Sequence, residues 1–192
     1  MNGGAPITIP MIAAQKAELR RRMISVRDSI PVEEQVNRSL ALVAMKDDPA
    51  FRAFLPAPGG VIATYWPIRS ELNPNFLTSH LEGEGFRRAL PRMTAEGLVF
   101  HAWWRDEDLV TGAFGVREPQ PHWPIVVPDL ILTPLVAFDA RGSRLGYGKG
   151  FYDRAFAAHP RGRRVGIAYR EQEVTEVPSE PHDLPLEAVF AV

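Results

Sequence analysis

Short apolar runs separated by helix-like stretches are the feature that most constrains the fold of this chain. The clearest runs are residues 61–66, 130–133 and 165–169. Continuous apolar runs of this length are typical of strands that are buried on both faces of a sheet. Because helix-like stretches alternate with these runs, we predict βαβ units and a single three-layer α/β domain with a mostly parallel sheet.

The first helix is predicted from Ala13, where apolar residues begin to recur at helical spacing. Leu19, Met23, Val26 and Ile30 are separated by four, three and four positions, which places them on one helix face. The basic residues lie mostly elsewhere on this helix, and by themselves they indicate a solvated face. The other predicted elements are helices from Pro31 to about Met45, from Asn73 to about Gly83 and over 151–158, and strands at 86–90, 98–104 and 188–192.

The composition excludes several classes of protein. The 192 residues fit one domain, and 22 basic against 23 acidic residues give no general attraction to nucleic acid or to an anionic membrane. The absence of cysteine excludes disulfides, thiolate catalysis and cysteine-ligated zinc, and it fits a reducing, cytoplasmic compartment. No apolar run reaches the ~20 residues that span a bilayer. Residues 1–12 lack the pattern of a secretory signal, so we interpret them as a flexible leader ahead of a domain at 13–192.

A glycine-rich stretch carries the strongest local signal for ligand binding. Gly146, Gly148 and Gly150 alternate after a predicted strand and before a predicted helix. Glycine allows the backbone to approach a ligand closely, and successive loop amides together with a helix N-terminus bind anions. Lys149 and Arg144 add positive charge, which favours a polyphosphate. The spacing is neither that of a Walker loop nor that of the dinucleotide fingerprint, and by itself it also fits a plain turn.

Asp153 favours the binding interpretation over the plain turn. It is predicted in the first turn of the helix, beside the anion loop, where a bare carboxylate would repel phosphate. Mg²⁺ resolves this conflict, because it binds one or two carboxylates together with phosphate oxygens. Asp183, in a loop bounded by prolines, is a second candidate ligand. The alternatives are a favourable acid at a helix start for Asp153 and a turn residue for Asp183.

The run from Arg144 to Arg154 resembles the signature of the 5-formyltetrahydrofolate cyclo-ligases, also called methenyltetrahydrofolate synthetases. Tyr147 stands where some members of that family carry Arg, and Lys149 stands where many bacterial members carry Gly. The resemblance covers almost everything from Lys16 onward. The other segments that agree in order and spacing are the Lys-x-x-Leu-Arg motif at 16–20, the acid Glu71, the Gly-x-Phe-Gly segment at 112–119, the strand and loop at 129–142, and Glu-Pro-His-Asp at 180–183.

The resemblance implies a Rossmann-like α/β domain and a known reaction. In this family, ATP with Mg²⁺ phosphorylates the formyl oxygen of 5-formyltetrahydrofolate and leaves as ADP. N10 then attacks the activated carbon, and phosphate departs as the ring closes to 5,10-methenyltetrahydrofolate. The protein supplies alignment and charge stabilisation rather than a nucleophile. We expect ATP and the folate as partners, no nucleic acid or membrane, and a monomer or weak homodimer.

Carried to this sequence, the resemblance implies four groups of site residues. Taken singly, the two basic residues of the first helix also fit a solvated face, and the aromatic residues also fit a core. The implied roles are catalysis by Lys149 and Arg144; ATP binding by Lys16, Arg20, Arg144, Leu145, Gly146, Tyr147, Gly148, Lys149, Gly150, Phe151 and Tyr152; folate binding by Trp66, Glu71, Phe114 and Tyr152; and Mg²⁺ binding by Asp153 and Asp183.

Three other functions stay open from the sequence. A related ATP-dependent ligase or kinase would keep the loop and change the pocket around Glu71 and Phe114. A non-enzymatic folate- or nucleotide-binding module has no need for Lys149 together with both aspartates. An RNA-binding protein would have to use the short basic run at 161–164, which more often forms a solvated turn.

Overall fold

A computed structural model describes residues 9–104 and 108–192 and shows one central sheet of six strands. Two small two-stranded ribbons accompany it, β4 with β5 and β7 with β8. The strands are β1 (Val61–Ala63), β2 (Arg87–Met93), β3 (Leu98–Ala102), β4 (Val110–Thr111), β5 (Arg117–Glu118), β6 (Leu130–Pro134), β7 (Ala137–Phe138), β8 (Arg144–Leu145), β9 (Arg163–Ala168) and β10 (Ala188–Ala191). The helices are α1 (Ile9–Asp28), α2 (Val32–Ala41), α3 (Pro49–Arg52), α4 (Asn75–Gly83) and α5 (Phe151–Ala158), and 3₁₀ turns occupy Leu42–Asp47, Ala113–Gly115 and Arg170–Gln172.

The predicted mostly parallel sheet is confirmed. The strand order is β10-β9-β6-β1-β2-β3, and every neighbouring pair is parallel except the hairpin of β2 and β3. Helix α4 makes the crossover from β1 to β2, and α5 makes the crossover that leads into β9. Parallel neighbours require such crossovers, which explains why apolar runs and helices alternate in the sequence.

Two apolar clusters cover the opposite faces of the sheet and produce the predicted three layers. Ile62 of β1 packs with Leu77 of α4 in one cluster. Ala63, the next residue of the same strand, packs with Phe156 of α5 in the other. Successive side chains of a strand point to opposite faces, so strands that carry apolar residues at every position are buried on both sides.

The ends of several elements differ from the prediction for local reasons. Helix α1 begins at Ile9, four residues before Ala13, because Pro10 lies in the first turn, where a missing N–H costs no hydrogen bond. The second predicted helix tightens into a 3₁₀ turn after Ala41, and Asp48 then caps α3 by accepting a hydrogen bond from the N–H of Ala50 at 2.8 Å. Strand β1 ends at Ala63, so the chain leaves the sheet before the aromatic pair that the prediction included in this strand.

The sheet has a topological switch point between β1 and β6. From β1 the chain moves through α4 to β2 on one side, whereas β6 lies on the other side of β1. The carboxyl ends of the strands on either side of such a point leave a crevice between diverging loops, where ligands of open α/β sheets bind. Among the described residues, no helix combines the length and the apolar character needed to cross a membrane.

Candidate active site

A cleft of about 980 Å³ opens at the carboxyl ends of β1 and β6. Its wall is built by α1, the loop after β1, the β2–β3 hairpin, the β4–β5 hairpin, the glycine loop with the start of α5, and the segment before β10. Every residue predicted for the site lines this cleft, although the residues come from positions 16 to 183. The fold therefore gathers the sequence-predicted set in one place. The roles of the individual residues stay predictions.

The glycine loop adopts the backbone conformations that require glycine. Gly148 and Gly150 have φ angles of +89° and +64°, and Gly150 is the residue directly before α5. A Cβ at position 148 would lie 3.2 Å from the guanidinium carbon of Arg20. Arg20 Nε also donates to the carbonyl of Gly146 at 2.7 Å. Helix α1 is therefore packed directly on the loop, and a side chain at position 148 would force the Arg20 guanidinium to move.

Lys16 joins α1 to the C-terminal part of the cleft. Its Nζ lies 2.7 Å from Glu180 Oε2 and 2.5 Å from Asp183 Oδ2. Burial opposes the charged forms, but the ion pair outweighs it, so the pKa of Lys16 is raised and the pKa of Asp183 is lowered. Both groups are thus charged at neutral pH, and Asp183 is held in a fixed orientation. Glu180 is a member of this site that the sequence-predicted set omits.

Asp153 is oriented by two hydrogen-bond donors that both bind the same oxygen of its carboxylate. Arg144 Nη2 donates to Asp153 Oδ1 at 2.9 Å, and the N–H of Leu184 donates to it at 3.2 Å. The Arg144 side chain is only 6% exposed, and it also donates to the carbonyl of Leu184 and stacks on Phe156. This geometry places Arg144 where it orients Asp153 and the segment that follows Asp183.

The two aspartates fit metal ligation because each keeps one oxygen available. Within 9–104 and 108–192, the hydrogen bonds to Asp153 go to Oδ1 and those to Asp183 go to Oδ2. Partners that bind one oxygen of a carboxylate and orient the other are the usual outer shell of a metal site. Ligand atoms of Glu180, His182 and Asp183 also lie within 4.8 Å of one another. Asp153 is not in that group, but its contact with Leu184 places it beside Asp183.

Lys149 and Phe114 lie at the open side of the cleft. Phe114 is 76% exposed and has a φ of +57°, a conformation that is uncommon for a residue with a side chain. The Nζ of Lys149 lies 5.7 Å from the centre of its ring. Lys149 lines the cleft and, in the parts of the chain that the structure describes, forms no salt bridge. An exposed aromatic ring beside an ammonium group suits an aromatic, anionic ligand.

Glu71 lies at the closed end of the cleft with its side chain buried. Its Oε2 accepts a hydrogen bond from the N–H of Ile68 at 3.0 Å, and its Oε1 lies 3.9 Å from Nη1 of Arg27. Burial raises the pKa of Glu71 to about 7, even though Arg27, the Ile68 amide and the Tyr147 hydroxyl favour the ionised form. A carboxylate of this kind is ready to accept hydrogen bonds from a ligand that brings its own donors.

The remaining aromatic residues form the floor and one side of the cleft. Burial raises the pKa of Tyr152, which is therefore a neutral hydrogen-bond donor, and its ring packs on Phe156 with centroids 6.1 Å apart. Trp66 packs edge-on against Trp103 at 6.1 Å. Trp103 is itself buried, so it supports Trp66 from the core.

Arg27 is the important residue beside the cleft that sequence reasoning missed. The sequence groups it with the solvated basic residues of α1, but it is 1% exposed. A signal for its burial exists, because Arg27 lies four positions after Met23 and three before Ile30, and both of those side chains are buried. A cation at a core position of an amphipathic helix needs buried acceptors, and these come from elements that are distant in sequence.

The chain is similar over most of its length to known proteins of one family. The model of the 5-formyltetrahydrofolate cyclo-ligase family matches residues 12–192. A 5-formyltetrahydrofolate cyclo-ligase of Mycolicibacterium smegmatis is 33% identical over 190 residues, which cover 94% of this chain and 95% of the relative. The one from Escherichia coli K12 is 36% identical over 137 residues, covering 67% and 75%. A solved structure of Aquifex aeolicus 5,10-methenyltetrahydrofolate synthetase superposes with a TM-score of 0.75 at 30% identity, covering 91% of this chain and 88% of that one.

Proposed function

Since the chain belongs to the 5-formyltetrahydrofolate cyclo-ligase family, we propose that it uses ATP and Mg²⁺ to convert 5-formyltetrahydrofolate to 5,10-methenyltetrahydrofolate, with release of ADP and phosphate. The observation that carries the proposal is the pairing, in one cleft, of a cation-rich glycine loop with a buried carboxylate at the opposite end. The first suits a triphosphate, and the second suits the ring donors of a pterin.

The reaction needs two substrates to be aligned rather than a protein nucleophile. The formyl oxygen attacks the γ-phosphorus of ATP, and the bond to the ADP oxygen breaks. N10 of the folate then attacks the formyl carbon, loses its proton, and the carbon–oxygen bond breaks to release phosphate. Holding the reacting groups in contact can supply much of the rate enhancement of such a displacement. The cleft between the glycine loop and Glu71 is the place where that contact is made.

The nucleotide side consists of the glycine loop and the cations around it. Backbone N–H groups of the loop and of the first turn of α5 bind the phosphates, as is typical of helix N-termini preceded by glycine. Arg20 holds the loop through the carbonyl of Gly146 and adds positive charge. Lys149, which has no carboxylate partner in the described parts of the chain, stabilises the charge that develops on the transferring phosphoryl group. Arg144 acts through Asp153.

Asp153 and Asp183 are the residues that would hold Mg²⁺. The Oδ2 of Asp153 and the Oδ1 of Asp183, which accept no hydrogen bond within the described residues, would supply oxygen ligands, and Mg²⁺ typically keeps waters and phosphate oxygens as its other ligands. When bound, the ion neutralises phosphate charge. Arg144 and Lys16 keep the two carboxylates in place and leave one oxygen of each available.

The folate side is built around Glu71, Trp66, Tyr152 and Phe114. Glu71 accepts hydrogen bonds from pterin N–H groups, and the aromatic side chains contact the ring systems of the substrate. A site built to accept donors rejects analogues that lack them more strongly than an apolar pocket does. The folate is thereby selected by its donor pattern and not only by its shape.

The test is a reconstituted assay that follows the near-ultraviolet absorbance of methenyltetrahydrofolate. Purified protein, ATP, Mg²⁺ and 5-formyltetrahydrofolate should give product, with one ADP and one phosphate for each ring closed. Leaving out ATP or Mg²⁺ should abolish the signal. Folded protein that hydrolyses ATP with another formylated or carboxylated compound, but not with this folate, would instead identify a related ligase or kinase.

A further inference from the structure

We propose that Arg27 is a positioning residue that joins Glu71 to the glycine loop through Tyr147, so that binding on the folate side and binding on the nucleotide side favour each other. The inference rests on the proposed function, because it uses the folate and the nucleotide as the two ligands. It concerns how the two halves of the cleft are connected. It gives a role to Arg27 and Tyr147, which contact each other between the two halves.

Arg27 contacts the loop that carries Glu71, the loop after β6 and the glycine loop. Its Nε donates to Ser70 Oγ at 3.0 Å, and its Nη1 donates to the carbonyl of Leu135 at 3.2 Å. Its Nη2 donates to the hydroxyl of Tyr147 in the glycine loop. Glu71 Oε1 lies 3.9 Å from Nη1. One guanidinium group thus joins the loops after β1 and β6 to the glycine loop.

A planar guanidinium is suited to this task because its donors form a rigid fork. If one acceptor is fixed, the directions of the other donors are fixed as well. Lysine offers a charge without that geometry. Burying a charge in this position is costly, and a buried ion pair is often no more stabilising than apolar residues of similar volume. Stability alone therefore gives little reason for an arginine among the core positions of α1.

Tyr147 is the residue of the glycine loop that Arg27 holds in place. Its hydroxyl accepts from Arg27 and also favours the ionised form of Glu71. The groups that face Glu71 are Arg27 from α1, Tyr147 from the loop, and the phenols of Tyr65, Tyr152 and Tyr169. A folate that donates hydrogen bonds to Glu71 fixes that carboxylate, then Arg27, then Tyr147. A loop that is already ordered loses less entropy when a nucleotide binds, and linkage makes the effect reciprocal.

The experiment is calorimetry with the full chain, with 5-formyltetrahydrofolate titrated in the presence and absence of MgADP, which does not support turnover. We expect MgADP to tighten the folate by at least about fivefold in the wild type, the lower end of typical couplings. Tyr147→Phe keeps the ring and removes only the hydroxyl, and it should reduce the effect to less than about twofold. Arg27→Lys should do the same, and Tyr147→Phe remains the test if Arg27→Lys does not fold.

A matched control comes from a site outside the cleft. Arg38 pairs with Glu34 and Glu171, so Arg38→Lys perturbs an arginine network of similar size. This control should keep the wild-type coupling.

Three results would overturn the inference. The first is an unchanged MgADP effect in both Tyr147→Phe and Arg27→Lys. The second is weaker binding of each ligand alone with the coupling intact, which would make these residues ordinary contacts. The third is a wild-type enzyme that forms methenyl product but shows no coupling. In that case the proposed function stands, whereas a wild type that binds neither ligand and forms no product contradicts the proposed function itself.

Discussion

Glu71→Gln should stabilise the ligand-free protein at alkaline pH and should leave its stability almost unchanged in acid. The pKa of Glu71 is raised from 4.5 to about 7, chiefly by burial. A group whose pKa is raised by folding contributes stability below its unfolded pKa, and this contribution is lost as the pH rises through the folded pKa. At about 1.4 kcal/mol per pKa unit, the raised pKa of Glu71 therefore lowers the free energy of unfolding by about 3 kcal/mol above pH 8. At pH 5 it lowers that free energy by under about 1 kcal/mol. Glutamine keeps the size and removes this cost.

The assay is urea unfolding of wild type and variant at pH 5 and at pH 8.5. The free energy of unfolding of Glu71→Gln should exceed that of the wild type by about 2 to 3 kcal/mol more at the higher pH than at the lower one. Glu171→Gln is the matched control. The hydrogen bond from Arg38 lowers the pKa of Glu171, so the same chemical change should give no gain in stability at pH 8.5. The folate affinity of Glu71→Gln should fall at the same time, because the acceptor that the ligand needs has been lost.

One result would refute this reasoning about Glu71. The free energy of unfolding could change by the same amount between pH 5 and pH 8.5 in Glu71→Gln and in the wild type. In that case the carboxylate of folded Glu71 does not titrate in that interval. Arg27 would then compensate the burial fully, and Glu71 would be ionised throughout. The same outcome would contradict a related expectation, that folate binding by the wild type weakens as the pH falls below about 7 and Glu71 becomes protonated.

The remaining predictions concern the nucleotide side. Lys149→Ala should lower kcat by about a hundredfold or more, and a loss confined to ATP affinity would make Lys149 a ground-state anchor. Gly148→Ala should cost about 1–2 kcal/mol of unfolding free energy because of its φ of +89°, whereas Gly83→Ala, in the open last turn of α4, should cost nothing or gain up to about 1 kcal/mol. Asp153→Asn and Asp183→Asn should each raise the Mg²⁺ concentration for half-maximal rate about tenfold or more. Normal rates with unchanged Mg²⁺ dependence in both variants would exclude a shared metal site.

The fold is largely predictable from the sequence because its central strands have a distinctive composition. Runs such as 61–66 and 130–133 are apolar at nearly every position, and a strand covered on both faces needs that pattern. The strand ends are less predictable. Strand β1 stops after Ala63, and the aromatic residues that follow it line the cleft instead of extending the sheet. Apolar character does not distinguish a side chain in a core from one in a ligand pocket.

The site is predictable as a set, but its internal contacts are not. The order of the motifs along the chain is sufficient to group Lys16, Glu71, the glycine loop and the two aspartates. In the structure, Lys16 pairs with Asp183 and Arg144 pairs with Asp153. These pairs depend on how the fold brings distant segments together, and no local sequence pattern contains this information. The fold therefore adds a supporting set of ion pairs beneath the residues that the motifs identify.

Helix α1 shows that angular position on a helix separates cleft cations from surface cations when composition does not. At about 100° per residue, Lys16, Arg20 and Arg27 fall within about 40° of one another, directly beside the apolar row that contains Met23. Each reaches a different part of the cleft: the C-terminal segment, the glycine loop and the loop that carries Glu71. Arg21 lies about 100° or more from each of these three cations, and its exposed side chain pairs only with Glu18 among the described residues. A cationic row that adjoins an apolar row on the same helix is therefore evidence that the cations are turned inward, and in this chain the row connects the three parts of the site.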